Sequence, residues 1–356
     1  MSQEHHGHAH HQEDHGHDKG AGLLRFIQEL NPFSHSHNHT ETTVDAALET
    51  SARGIWALKV SLVALGVTAF LQLLVVLLSG SAALFADTIH NFSDALTAVP
   101  LWIAFALGRR RASGRYTYGL GRAEDLAGIA IVLMIFLSAI LALLGSIDRI
   151  VNPQEISQLG LVAIAGLLGF LGNEAVAVFR IRVGREIGSA ALIVDGQHAR
   201  VDGFTSLAVV LGAAGVWLGF PLADPIVGLL ITLAILVIVK DTALTMFYRM
   251  MDAIDPEVVK AMERTATAVS GVEAVSMVRA RWNGHRIQSE IHVVVNEDLP
   301  TWKSHQIAEL VRRDLFDGIP TVGSITVHCD PCGHSGTDHH RATAHHESAT
   351  YSRDST

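Results

Sequence analysis

Cysteine is nearly absent from this chain: Cys329 and Cys332 are the only two in 356 residues, and both lie near the C-terminal end. That excludes a disulfide framework, which needs several cysteines spread through a small domain. Charge is scarce as well. Asp, Glu, Lys and Arg make up 17% of the chain, and the formal net charge is −9 with His counted neutral. No basic excess is present to neutralise phosphates, so no nucleic-acid partner is expected. The His-Glu-x-x-His signature of helix-borne zinc hydrolases is missing too. The N-terminus is polar and His-rich rather than apolar, so no cleavable signal peptide is expected.

What the chain has in abundance is apolar sequence, 49% of all residues, gathered into long blocks. Six segments are each about long enough to span a bilayer: 55–79, 82–107, 126–147, 156–179, 190–218 and 222–245. The loop after the second holds Arg109, Arg110, Arg111, Arg115 and Arg122, and the loop after the fourth holds Arg180, Arg182 and Arg185. On the opposite side Arg149 is the only basic loop residue. The positive-inside rule then places both termini in the cytoplasm of a multi-pass protein in the cell membrane.

Two of these segments carry the same polar pattern. Asp87-x-x-His90-x-x-x-Asp94 lies in the second, and Asp195-x-x-His198-x-x-x-Asp202 lies in the fifth. At about 3.6 residues per turn, the three positions share one helical face. Ionisable groups inside a membrane are costly and mark ion pathways. Two His and two Asp make a four-ligand nitrogen and oxygen site suited to a borderline divalent ion such as zinc, with cobalt or nickel as alternatives and cadmium alongside. Polar pairing between helices is worth only about 0.6 kcal/mol per contact on average, too little to explain two repeated His–carboxylate pairs. Asp87 and Asp195, about one turn earlier on the same face, are candidates for support behind the ligands, for the ion path or for a water-filled vestibule. Recurrence three segments apart points to an inverted duplication with the site at the repeat interface.

The flanks differ in composition. Residues 1–51 form a His-rich segment, with ten His between His5 and His39, read as a disordered cytoplasmic tail with weak metal affinity. Within it Leu23, Phe26, Ile27 and Leu30 have the spacing of a short surface helix. The membrane domain covers 52–249. From 250 to 333 the pattern is αββαβ: a helix over 256–269, strands over 272–280 and 287–295 separated by Trp282-Asn283-Gly284, a helix over 301–316 and a strand over 324–328. The expected fold is therefore an α-helical polytopic membrane protein with a small two-layer α+β, ferredoxin-like domain. The tail 334–356 is again polar and His-bearing.

Other polar residues have plainer readings. Asn173 and Glu174 lie toward the end of the fourth segment, where a charge near the interface is tolerable. Glu124 and Asp125 head the third, and carboxylates suit a helix N-terminus. Trp302 and Leu310 are at helical spacing and read as core. Cys329-x-x-Cys332, flanked by His328 and His334, is either a metal motif or two unpaired thiols.

On these residues the chain resembles the cation diffusion facilitator family. The six segments, His90/Asp94, His198/Asp202, the stretch Tyr118-Gly119-Leu120-Gly121-Arg122-Ala123-Glu124 and the αββαβ domain carry the likeness, over roughly 52–333. The resemblance implies a homodimeric exporter that exchanges a cytoplasmic divalent metal, zinc by its His pattern, for protons, and that is not an enzyme. Exporters of cobalt, nickel, cadmium or iron(II), and a membrane metal sensor that does not transport, are the alternatives. It implies a transport site at His90, Asp94, His198 and Asp202. It implies a second metal site at His292, His305, His328 and Asp330, where the expected His near Ser276 is missing and His285 is a stand-in. It implies an interlock of Arg122 with Asp252. The loop with Ser113, Tyr116 and Leu120 lacks the Asp and His that some relatives carry there, so no metal is expected in it.

Overall fold

The computed structural model describes residues 42–79, 98–151, 159–220 and 222–333. The His-rich N-terminal segment, the stretch carrying Asp87, His90 and Asp94, and the tail from His334 lie outside the described residues. Apolar runs become helices here because a backbone in hydrocarbon must satisfy its own hydrogen bonds. They are α1 (Thr42–Ser79), α2 (Ala98–Gly108), α3 (Arg122–Val151), α4 (Leu159–Ile187), α5 (Ala190–Trp217) and α6 (Ala223–Met250). Five of these are long and apolar enough to cross a membrane, and α2 is a shorter apolar helix. Leu101 and Phe105 of α2, Ile131 and Ile135 of α3, Leu192 of α5 and Ile235 of α6 pack into one buried core. Large apolar side chains such as Leu133, Leu141, Leu230 and Leu233 remain exposed, which in water would be an aggregation surface and in lipid is the solvated face.

Two boundaries differ most from the sequence reading. Helix α1 begins at Thr42, within the segment 1–51 assigned to a polar tail. Helix α4 continues to Ile187, so Arg180, Arg182 and Arg185 are helical rather than loop residues. The helix stops only at Gly188, whose φ is 75°, and Arg180 is buried against a carboxylate.

The C-terminal domain has the expected order: α7 (Pro256–Thr267), β1 (Ala274–Asn283), β2 (Arg286–Val295), α8 (Thr301–Gly318) and β3 (Val322–Pro331). Asp255 caps α7, its side chain accepting from Glu257 N at 2.9 Å, and Pro256 opens the first turn. The sheet order is β1-β2-β3, with β1 antiparallel and β2 parallel to its neighbour. A parallel pair needs a crossover, and α8 supplies it. Alternate residues of β2 (Ile287, Ile291, Val293 and Val295) bury with Met262 of α7 and with Val311 and Leu315 of α8. Both helices therefore cover one face of the sheet. Trp282 and Asn283 belong to β1, so the turn is only Gly284-His285.

That turn joins the two domains. Gly284 has φ 63°, and a Cβ there would lie 2.7 Å from Gly121 O and 2.9 Å from Glu124 Oε2. Only glycine fits both the left-handed backbone and the close approach. Gly284 N donates to Asp125 Oδ2 at 3.3 Å, and Arg249 donates to Gly284 O at 2.6 Å and to Gly188 O at 2.9 Å. The Arg249 guanidinium lies over the Trp282 ring at 4.1 Å, and Asn283 donates to Tyr118 O at 3.1 Å.

Candidate metal centres

Helix α5 starts from a firm cap: Leu192 N donates to Ser189 Oγ at 3.1 Å, and that hydroxyl donates to Glu124 Oε1 at 2.5 Å. From this fixed end the helix presents Asp195, His198, Asp202 and Ser206, all buried, at spacings of three and four residues. His198 Nδ1 stands 3.9 Å from Asp202 Oδ1. An imidazole and a carboxylate one turn apart, at 3% and 4% exposure inside an apolar bundle, could supply two ligands of the expected four-ligand site. The expected other half, His90 and Asp94, lies outside the described residues, as does Asp87.

Asp195, expected to support the ligands, to lie on the ion path or to line a vestibule, has a specific ion-pair partner. Arg180 of α4 puts Nη1 2.9 Å from Asp195 Oδ2, with the two side chains 1% and 0% exposed. A second pair ties the same helices: Arg200 donates from Nε and Nη2 to Glu174 at 3.2 and 2.8 Å. Glu174 is therefore paired with a cation on the neighbouring helix, a partner that the plainer reading of a tolerated interfacial charge did not name. The signal was in the sequence, since both pairs straddle the Gly188 turn almost symmetrically.

In the C-terminal domain, His292, His328 and Asp330 converge, with one ligand atom from each within 4.8 Å of the others. His328 Nε2 is 3.0 Å and His292 Nδ1 3.5 Å from the Asp330 carboxylate. Strand register explains the meeting, because His292 pairs with His328 and Val294 with Asp330 on parallel neighbours. These residues point to the face away from the helices. His305 sits on α8, which packs on the other face, so it does not join the cluster. His285 is no stand-in either: Nδ1 lies 2.8 Å from Glu124 Oε2 and Nε2 3.0 Å from Thr50 Oγ1, at the domain joint. Ser276, where a His is missing, falls on a β-bulge and puts Oγ 3.5 Å from Asp330 Oδ2.

Further expectations divide. Arg122 donates to Asp252 Oδ1 and, at 3.1 Å, to Arg249 O, so these two residues do meet. Glu124 and Asp125 are buried, and they receive Ser189, His285 and Gly284 rather than serving the helix dipole alone. Trp302 is 64% exposed, contrary to its reading as core, whereas Leu310 packs partly buried against the sheet's core. Cys329 points to the helix side and donates to Ser304 O at 3.4 Å. Burial, and then the Asp330 charge, push its thiol above the ordinary range. Neither cysteine joins a cluster of three metal-ligating groups among the described residues.

Comparison with known proteins places both halves of this geometry. Residues 58–251 match the model of the cation efflux transmembrane domain, and 254–332 that of the cation efflux protein cytoplasmic domain. A probable cation efflux system protein of Mycobacterium tuberculosis is 52% identical over 325 residues, covering 91% of this chain and 96% of that one. The cation-efflux pump FieF of Klebsiella pneumoniae is 25% identical over 258 residues, covering 71% of this chain and 84% of the pump. Magnetosome protein MamB of Paramagnetospirillum magneticum is 25% identical over 256 residues, covering 72% and 86%.

Proposed function

The chain belongs to the cation efflux, or cation diffusion facilitator, family, and from that premise we propose that it exports zinc in exchange for protons. It is a multi-pass membrane protein of a family that moves divalent cations out. The observation that carries the finer reading is the buried His198–Asp202 pair on α5, a ligand set with no reason to sit in an apolar bundle unless a cation visits it. His90 and Asp94 complete the shell in this reading. Imidazole with carboxylate suits zinc first, then cobalt or nickel, with cadmium and iron(II) as further cargo.

A divalent cation binds only deprotonated ligands, so metal and protons compete for the same four side chains. Loading from the cytoplasm expels protons, and reprotonation from outside expels metal. Rocking of the helices alternates which side the site faces, and the inward proton gradient drives the cycle. Four protein ligands leave no position for a reactive water, so the site transports and does not hydrolyse. The reading also places both termini in the cytoplasm, the protein in the cell membrane, and two copies of the chain in a homodimer joined through the C-terminal domains, where a zinc ion held by His292, His328 and Asp330 acts as a regulator.

Sealed vesicles holding the purified full-length protein test this. Zinc should accumulate in an acidified lumen, and the accumulation should collapse with the pH gradient. A protein that binds zinc yet accumulates none is a sensor, and the export reading is then wrong.

A further inference from the structure

We propose that Arg180 is the resident counter-ion of Asp195, closing the approach to His198 and Asp202 from the C-terminal-domain side until an entering divalent cation takes its place. This rests on the reading of His198 and Asp202 as cargo ligands.

Position comes first. Helix α5 begins against the domain joint, where Ser189 meets Glu124 and Gly188 O meets Arg249. Asp195 follows, still about 10 Å short of Asp202 at about 1.5 Å of rise per residue. An ion travelling along this polar stripe from the C-terminal domain meets Asp195 before the ligand pair. No side route opens between α4 and α5 at this level. A Cβ on Gly196 would lie only 3.0 Å from Ile181 N and 3.1 Å from Ala177 O.

The quality of the ion pair comes second. Both pairs between α4 and α5 join an arginine to a carboxylate, yet they are built differently. Arg200 grips Glu174 with two aligned N–H groups, as a permanent clamp does. Arg180 reaches Asp195 at 2.9 Å off the hydrogen-bond axis. Its Nε and Nη2, and both Asp195 oxygens, have no hydrogen-bond partner among the described residues, although all are buried. A buried pair satisfied this poorly is weak evidence for a stabilising role. It holds the one thing a divalent cation needs, a desolvated carboxylate, occupied by a single charge that double charge can outcompete. With Arg180 in place, its positive charge also repels an arriving metal.

The test reads access rather than transport. In full-length protein carrying Cys329→Ser and Cys332→Ser, Ala199→Cys places a reporter one turn past Asp195, where the native residue is 2% exposed. Reconstituted vesicles are treated with a membrane-impermeant methanethiosulfonate on the C-terminal-domain face. Labelling should be slow with Arg180 or with Arg180→Lys and roughly tenfold faster or more with Arg180→Gln, as expected when a closed state loses its latch. Labelling from the opposite face should not change. Equal rates with Arg180 and Arg180→Gln overturn the proposal, and so does acceleration from both faces, which is local unfolding. If Arg180→Gln does not purify as a folded protein, Arg180→Gln with Asp195→Asn leaves no orphaned charge and is scored the same way. Zinc uptake by Asp202→Ala would instead remove the cargo-site reading, an outcome separate from the labelling rates.

Discussion

His198 and Asp202 lie one turn apart on a single helix at 3% and 4% exposure, whereas His292, His328 and Asp330 span two strands with the His328 side chain 58% open to solvent. The residue types are the same and both carboxylates are buried, but the imidazoles of the second set reach solvent while His198 does not. A carboxylate sealed in an apolar bundle pays heavily for a bare charge, so it must always hold a proton, a metal or another cation. At the sheet, Asp330 is largely buried too, but its partners His328 and His292 reach solvent, so a cation could come and go there without crossing apolar packing. The first arrangement forces exchange, and the second permits graded occupancy that follows the surrounding metal concentration. In the proposed reading, placement in the fold, more than ligand identity, would separate a cargo site from a sensing site.

The most severe way to break this contrast is to remove a buried ligand. Asp202→Ala or His198→Ala should reduce zinc uptake in vesicles to background while the protein still inserts and runs as a single species on size exclusion. Normal uptake would mean that the buried pair is helix glue. Next in size is the joint between the regions. Gly284→Ala adds a Cβ against Gly121 O at a left-handed backbone position. It should cost about 1–3 kcal/mol and lower the thermal midpoint of the full-length protein. An unchanged midpoint would show that the two regions are not tied there.

At the open cluster a smaller, conditional effect is expected. Stripping zinc with a chelator should lower the thermal midpoint of the wild-type chain by more than that of Asp330→Ala, with zinc uptake at saturating metal similar in both. Loss of that uptake in Asp330→Ala would erase the distinction between cargo and sensing sites. The smallest effect belongs to the surface. Arg53 and Glu186 pair at 2.5 Å with side chains 56% and 36% exposed. Breaking them with Arg53→Ala should cost less than about 1 kcal/mol by denaturant titration, because water and salt screen such pairs.

Much of this architecture was legible in the chain itself. Long apolar runs announce bilayer helices, and the alternation in β1 and β2 announces a half-covered sheet, because each pattern follows from one local period. His198 and Asp202 were legible for the same reason, being one helical turn apart. Residues whose partners lie on another element were not. Arg180 read as a basic loop residue because it sits among other arginines, and only helix pairing reveals Asp195 beneath it. His305 was expected as a ligand from the family resemblance, but the sheet stands between α8 and the cluster. His285 was expected as a stand-in metal ligand, since a lone His in a turn says nothing about a carboxylate more than a hundred residues earlier.

The side-by-side register of His292 and His328 has a bearing on how the C-terminal domain comes apart. Their strands are parallel, so the chain between them must run out through α8 and back before the two imidazoles meet. Such non-local pairing is slow to form, because the loop must close before any contact rewards it. A cation held across β2 and β3 would stitch together the strand ends that only a completed crossover brings together. Its influence would then fall on the unfolding rate more than on the folding rate, and a metal-loaded domain would be one that lasts longer once made.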